Sequence, residues 1–426
     1  MTEYKLGKLI IEGKTKKVYE ILNEPTLCYI QSKDRITAGD GVKAHNLEGK
    51  GVISTATTSK VFQLLNEAGI NTSFVKLDSS NKNAFIARKC EMVPIEWVTR
   101  RLATGSFLKR HSGVEEGYRF NPPLQETFYK DDANHDPQWS EEQIISANFK
   151  LNGVTIGKDE VDIMQRTTLT VFEILERTWA TRDCSLIDMK IEFGVDTSGN
   201  IVVSDVIDSD SWRLWPSGDK RLMKDKQVYR NLSNVTKADL DVIKCNFEWV
   251  AAQLDHLILS PMSLVVILMG SPSDVEHCEK IASYAKKLGL IVELRVCSAH
   301  KSTLETLRIL AEYEGSGKKA VLIAVAGRSN GLGPVLSGNT TFPVINCPPF
   351  KPENITQDIW SSINVPSGLG CTTVAYPESA ALAAAQIHSL HDHMVWSKLR
   401  AKQLNNFITL KEADKKIQHK FLSVKV

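Results

Sequence analysis

Between residues 264 and 346, short apolar and largely β-branched runs (264–269, LVVILM; 291–296, IVELRV; 320–325, AVLIAV; 342–346, FPVIN) alternate with helix-like segments at 274–288 and 303–314. No other feature of the chain restricts its folding so tightly. A run that is apolar on successive residues has no wet face, and strands separated by helix-length crossovers run parallel. The pattern therefore predicts an α/β doubly wound parallel sheet covered by helices on both faces. An alanine-rich helical pattern at 378–404 closes this half and is apolar enough to seek cover beyond its own domain.

The preceding residues lack that rhythm. A hairpin pattern at 9–20 turns at Gly13, polar loops rich in Asp, Asn and Pro fill 121–140, a helix pattern covers 161–179, a second hairpin at 186–206 turns over 196–200, and a helix pattern follows at 237–259. That is an α+β layout. The 426 residues exceed the ~250–300 at which one core stops growing, so two domains are expected, 1–260 and 261–426. The join is placed at Ser260-Pro261, where proline ends the preceding helix and the period changes.

Lys plus Arg (52) nearly balances Asp plus Glu (50), leaving +2, so no global field draws in nucleic acid or an anionic membrane. Any anion must be held by a local cluster. No apolar run approaches the ~20 residues that cross a bilayer. The eight cysteines form no C-x-x-C pair, which favours reduced thiols and disfavours structural zinc. MTEYKLGKLI shows neither a secretory nor a transit pattern, and the expected location is the cytoplasm.

Several motifs carry chemistry. EGKTKKVY (12–19) sets one glycine and three lysines at a turn, which suits a backbone closing over phosphate oxygens; a solvated hairpin tip is the alternative. In DMKIEFG (188–194), strand alternation puts Asp188, Lys190 and Glu192 on one face, and the return strand brings Asp205 across the turn. Paired hard oxygens beside a lysine suit a Mg²⁺–nucleotide complex, and a solvated face with an ion pair is the other reading. TRRLATGS (99–106) and DSDSWRLWP (208–216) supply arginines that fork onto phosphate or carboxylate, although Arg213 could simply stack on Trp212 or Trp215. KDDANHDP (130–137) offers Lys130 and Asp136 from a polar loop.

In the second half, MGSPSD (269–274), CSAHK (297–301) and AGRSNG (326–331) each end a parallel strand, so they converge on the crevice where doubly wound folds bind anions. Ser271 and Ser273 suit an oxyanion, or Ser273 is merely a helix cap. His300 at that edge suits acid–base work, or is structural. PSGLGC (366–371) adds a second small-residue loop.

EGKTKKVY, SKDRITAGDG (32–41), EMVPIEWVTRRLATGSF (91–107), DDANHDP, DMKIEFG and SDVIDSDSWRLWP, in this order, resemble SAICAR synthetase, which joins aspartate to carboxyaminoimidazole ribonucleotide (CAIR) with ATP. The resemblance implies an ATP-binding domain in which Lys14 and Lys17 lie near the ATP phosphates, with Glu91, Met92 and Val93 as a hinge meeting adenine. It also implies that Glu192 and Asp205 serve Mg²⁺, and that Arg100, Ser106 and Arg213 hold the ribonucleotide phosphate. Lys130, counted with the ATP residues, lies with Asp136 and Lys190 near the reacting groups.

G-S-x-S-D, S-A-H and AGRSNG resemble AIR carboxylase, in the animal branch that carboxylates aminoimidazole ribonucleotide (AIR) with CO₂ directly, without ATP or cofactor. That implies a flavodoxin-like, three-layer domain with His300 as proton acceptor and Lys301 balancing the new carboxylate. Ser271, Ser273, Asp274 and Ser298 would hold AIR, and Ser329, Asn330 and Gly331 would hold CO₂. Both halves in this order resemble the bifunctional animal family, and that likeness together with the apolar helix suggests a homo-octamer. The expected partners are small molecules (AIR, CO₂, CAIR, L-aspartate and ATP), with neither nucleic acid nor membrane among them. Two rival readings are another ATP-dependent ligase or kinase fused to a nucleotide-binding α/β domain, and a non-enzymatic nucleotide sensor.

Overall fold

The computed structural model describes residues 4–39, 41–258, 263–350, 353 and 355–422, and the expected join at Ser260-Pro261 lies outside them. The chain divides into two compact units, Met1–Leu259 with Ala401–Val426, and Ser260–Arg400.

In the first unit, β1 (Leu6–Glu12), β2 (Lys16–Ile21) and β3 (Leu27–Ser32) are followed by the hairpin β4 (Arg35–Ala38) and β5 (Lys43–Asn46), helix α1 (Lys50–Ala68), and strands β6 (Phe74–Leu77) and β7 (Ala84–Arg88). Five of these strands form an antiparallel sheet in the order β1-β2-β3-β7-β6. The chain continues through β8 (Cys90–Leu102), α2 (Ser106–Arg110), β9 (Arg119–Tyr129), α3 (Glu141–Ala147), β10 (Lys150–Leu151), β11 (Val154–Thr155) and α4 (Lys158–Ala180). Then come β12 (Cys184–Asp196), β13 (Ile201–Ser204), β14 (Trp212–Pro216), α5 (Gln227–Asn231) and α6 (Lys237–Leu257). The second sheet is ordered β13-β12-β8-β9, with β14 also pairing to β12. α4 packs on β12, whose apolar residues Ile187, Met189, Ile191 and Phe193 are buried. Alternation turns Asp188, Lys190 and Glu192 to the other face.

One expectation fails here. The polar loop placed over 121–140 begins only after Tyr129, because residues to that point belong to β9. β9 lies at the sheet edge, and its register to β8 slips between Arg100 and Leu102, so Pro122 and Pro123 cost no ladder hydrogen bond.

The second unit runs β15 (Leu264–Met269), α7 (Val275–Lys287), β16 (Ile291–Val296), α8 (Thr303–Glu314), β17 (Ala320–Val325), α9 (Leu332–Ser337), β18 (Val344–Asn346), α10 (Ile355–Asp358), α11 (Trp360–Ile363), β19 (Thr372–Thr373), α12 (Pro377–His388) and the first part of α13 (His393–Leu422), as far as Arg400. Its strands are all parallel, in the order β16-β15-β17-β18-β19. β15 and β17 are buried at every residue. Val265, Ile267 and Met269 face α7 and α12 in one core, whereas Leu264, Val266 and Leu268 face α8 and α9 in another. The result is the three-layer α/β arrangement.

Three details depart from the sequence reading. β16 is an edge strand and stays half open, with Val296 50% exposed, so cover on both faces holds for the central strands only. The single helix expected at 378–404 is two. Buried Asp392 accepts from the Met394 N–H at 3.0 Å and the Val395 N–H at 3.2 Å, while Ser263 donates to its other oxygen at 2.7 Å, so the carboxylate caps a new helix where one was expected to continue. Finally, the residues from Ala401 group with the first unit and not with the rest of 261–426. Lys411 pairs with Asp159 and Asp162, and Lys415 with Glu160, all on α4. Among the described residues no helix is long and apolar enough to cross a membrane.

Candidate active sites

The charged face of β12 floors a cleft of about 950 Å³ in the first unit. Its rim includes the turn between β1 and β2, closed by the Gly13 N–H donating to the Lys16 carbonyl at 2.9 Å. Glu192, 2% exposed, accepts from Lys190 at 2.5 Å on one oxygen and from Lys130 at 2.7 Å on the other, and Lys190 also reaches Glu96 at 2.9 Å. Asp205, one residue past the Ser204 that pairs with Glu192, takes a left-handed backbone (φ 65°) and meets the Lys16 ammonium. Burial alone would raise the Glu192 carboxyl, yet Lys190, Lys130 and Lys16 hold it at about 2. Burial pushes the Lys16 ammonium down to about 8 against the attraction of Glu192, with Lys130 and Lys190 adding repulsion. Lys190 moves the other way: burial opposes its charge, but Glu192 and Glu96 raise its pKa.

Farther along the same cleft, Arg100 is 3% exposed. It donates to Glu126 at 2.6 Å, to Asp188 at 2.8 Å and to the Ser106 hydroxyl at 3.4 Å. Arg213 donates to the same Asp188 oxygen at 2.5 Å, so two guanidinium groups share one carboxylate. Gly105 has a φ of 61°, and a Cβ there would fall 2.4 Å from Nη2 of Arg213. Only glycine permits this approach and this backbone together.

Of the residues singled out by sequence, Lys14, Arg100, Ser106, Lys130, Asp136, Lys190, Glu192, Asp205 and Arg213 all line the cleft. Lys17 does not; it points to the opposite face of β2 and lies 3.7 Å from Glu12, and Lys16 takes its place in the cleft. Glu91, Met92 and Val93 are also absent from the lining. Val93 is fully buried, and Glu91 accepts from the Asn152 N–H at 2.6 Å. Sequence reasoning missed Lys16, Arg110, Asp208, Asp210, Lys226 and Arg230, which line the same cleft. A signal for the last two was present, because Lys226 and Arg230 stand at helical i, i+4 spacing just past the Arg213 motif.

In the second unit, Met269 pairs with Val296 on one side and Val325 on the other, so the three strands end level and their loops leave one edge. The Ser271 and Ser273 hydroxyls lie 2.8 Å apart in a tight turn, and burial raises the neighbouring Asp274 carboxyl. Ser298 accepts from the Lys301 N–H at 3.3 Å, and Lys301 is exposed. A Cβ on Gly331 would fall 2.4 Å from Nε2 of His300, so the imidazole packs directly against that glycine and joins the second loop to the third.

The third loop differs from its expected form. Asn330 is 3% exposed and anchors the loop, donating to the Ser362 hydroxyl at 3.0 Å and accepting from the Gly333 N–H at 3.1 Å. The Asn330 N–H is taken by Ser361 at 3.0 Å and that of Gly331 by the Ser329 carbonyl at 3.1 Å. Neither amide is free for a ligand in this conformation.

The SAICAR synthetase family profile matches residues 9–244, and the AIR carboxylase family profile matches residues 264–407. A Drosophila melanogaster protein named bifunctional phosphoribosylaminoimidazole carboxylase/phosphoribosylaminoimidazole succinocarboxamide synthetase is 68% identical over 415 residues, covering 97% of this chain and 96% of its own. The Homo sapiens protein of that name is 59% identical over 415 residues, covering 97% of each chain. The crystal structure of phosphoribosylaminoimidazole-succinocarboxamide synthase from Ehrlichia chaffeensis aligns with a TM-score of 0.52 at 30% identity, over 58% of this chain and 98% of its own.

Proposed function

This chain belongs to the SAICAR synthetase and AIR carboxylase families, joined in one polypeptide as in the bifunctional animal enzymes, and from that membership we propose how its residues divide the work. It is a bifunctional carboxylase and synthetase of purine biosynthesis. We assign carboxylation to 261–426 and ligation to 1–260. The reading is carried by the way the motif residues fall into two clusters, each within one compact unit: the lysine–carboxylate cleft, and the strand edge where His300 meets Gly331.

Carboxylation comes first. C4 of AIR is enamine-like and attacks the CO₂ carbon; the new C–C bond leaves a proton on C4, which His300 accepts, restoring the aromatic ring and giving CAIR. Ser271, Ser273 and Ser298 hold the ribotide phosphate side, Asp274 accepts from a ribose hydroxyl, and Lys301 balances the new carboxylate. With the Asn330 and Gly331 amides engaged, Ser329 and the bare face of Gly331 border the CO₂ position.

Ligation follows. A CAIR carboxylate oxygen attacks the γ-phosphorus of ATP, releasing ADP; the aspartate amine then attacks the acyl carbon and phosphate leaves, giving SAICAR. Lys14, Lys16 and Lys130 neutralise the ATP phosphates, with Lys16 in the place first given to Lys17. Lys190 and Asp136 border the reacting groups, and Arg100, Ser106 and Arg213 hold the CAIR phosphate. The segment Glu91, Met92 and Val93, which lies outside the cleft lining, is kept as the proposed adenine contact. Glu192 and Asp205 are hard carboxylates on and just past neighbouring strands, and both face lysine ammonium groups, the charge that a divalent cation would share. This donor set fits Mg²⁺ held by the two, where it would supply charge neutralisation at the phosphates. The proposed setting is a cytoplasmic homo-octamer, an assembly that light scattering reads directly.

The deciding experiment mixes the protein with AIR, bicarbonate, aspartate and Mg-ATP, omits each in turn, and identifies products by mass spectrometry. CAIR is expected without ATP or aspartate, and SAICAR only with both. Sustained ADP release that aspartate does not increase, with no SAICAR formed when all substrates are present, would point instead to a kinase. A narrower test is Gly105→Ala. It places a methyl group against Arg213 and costs ~1–3 kcal/mol of backbone strain, so the KM for CAIR is expected to rise about tenfold or more with carboxylation unchanged.

A further inference from the structure

The loop between β17 and α9 holds a backbone that its own sequence does not favour. Arg328 has a φ of 57°, in the left-handed region that residues with a Cβ rarely adopt, and its side chain is exposed, so burial of that side chain does not compensate. Such a conformation persists only where its surroundings over-determine it.

Those surroundings come from α11. The Ser361 hydroxyl accepts from the Asn330 N–H at 3.0 Å and lies 2.8 Å from the carbonyls of Arg328 and Asp358, which share its proton. One side chain therefore bridges the backbone on both sides of Ser329. Ser362, 1% exposed, accepts from the Asn330 side-chain amide at 3.0 Å. Behind them stands Asn346, fully buried at the end of β18, which donates to the Ser362 carbonyl and to the Thr373 hydroxyl at 3.3 Å each. A Cβ on Gly333 would fall 1.8 Å from Oδ1 of Asn346, so the start of α9 presses on the same side chain. The loop is clasped at two points, by the serines at 328–330 and by Asn346 at Gly333.

We infer that Ser361 and Ser362 are positioning residues for carboxylation: they hold the 328–330 backbone in its strained form and so keep Gly331 against the His300 imidazole. That contact joins the proton acceptor, carried by one loop, to the CO₂ position, carried by another, and a small misplacement between reacting groups is costly. The serines of the other two loops hold AIR, so Ser361 and Ser362 bear on where CO₂ sits and not on ribotide affinity. The inference rests on the carboxylase reading and names what fixes its third loop.

The test uses the full chain with Ser361→Ala and Ser362→Ala, each alone and combined with Arg328→Gly. CAIR formation is followed while AIR, or CO₂ in equilibrium with bicarbonate, is varied. Glycine adopts a positive φ without strain, so Arg328→Gly removes the need for the clasp. Each serine change alone is expected to raise the KM for CO₂ about tenfold while the KM for AIR stays within about twofold. Combined with Arg328→Gly, the same serine change is expected to cost less than about threefold relative to Arg328→Gly alone. Thermal unfolding and ligation of supplied CAIR report that the variants are folded. An unchanged KM for CO₂, a KM for AIR that rises in step with it, or serine losses that are equal with and without Arg328→Gly overturns the assignment. If the unmodified protein forms no CAIR from AIR and bicarbonate, it is the carboxylase reading that falls.

Discussion

Replacing His300 with Asn is expected to slow carboxylation of AIR by about 10²- to 10⁴-fold, the usual contribution of a positioned general base, and to leave ligation of supplied CAIR within about twofold. His300 stands in the loop after β16, and its Nε2 lies against Gly331, where no side chain intervenes. Asn is smaller and polar, so it fits the space, but it cannot take the C4 proton at neutral pH. CAIR formation and ADP release, measured on the same preparation, separate the outcomes. Equal loss of both activities would refute two independent sites, and undiminished carboxylation would move the proton acceptor elsewhere.

Glu192→Gln is expected to lower ligation by about 10²- to 10³-fold while carboxylation continues. The change keeps the shape of the side chain and removes the negative charge that faces Lys190, Lys130 and Lys16. Three cations then share Glu96 and Asp205, so they repel one another and lose the spacing that ATP phosphates require. Breaking a buried pair costs ~3–5 kcal/mol at most, and less here because Lys130 is 44% exposed and solvent screens it. A second readout follows from the depressed pKa. Its folded value of about 2 lies below the ordinary 4.5, so Glu192 stabilises the fold fully above that ordinary value and loses its contribution as pH falls toward 2. Thermal unfolding of the variant should therefore depend less on pH over that window. Unchanged ligation at saturating Mg-ATP would remove Glu192 from the site.

The parts of the molecule that were legible in advance are those whose signal is local. The strands 264–269, 291–296 and 320–325 and the helix 303–314 appear at the limits their apolar periods predict. Asp188, Lys190 and Glu192 share a face because side chains on a strand alternate, whatever lies around it. Where a partner from far along the chain intervenes, the sequence reading fails. The break at 389–392 depends on Asp392 meeting Ser263, and the closed amides of the 326–331 loop depend on Ser361 and Ser362. Lys16 replaces Lys17 for a local reason: the two are successive on β2, so only one can face the cleft, and it is Lys16.

From residue order alone follow the α+β and doubly wound halves and a set of charged side chains that the first unit brings to one cleft, since periodicity and turn chemistry act over a few residues. The three-dimensional structure alone decides which charges neutralise one another: Lys130 with Glu192, Arg100 with Asp188 and Glu126, and Lys16 with Asp205. Coulomb energy depends on distance and burial, and both are settled only when segments far apart in the chain close on one another.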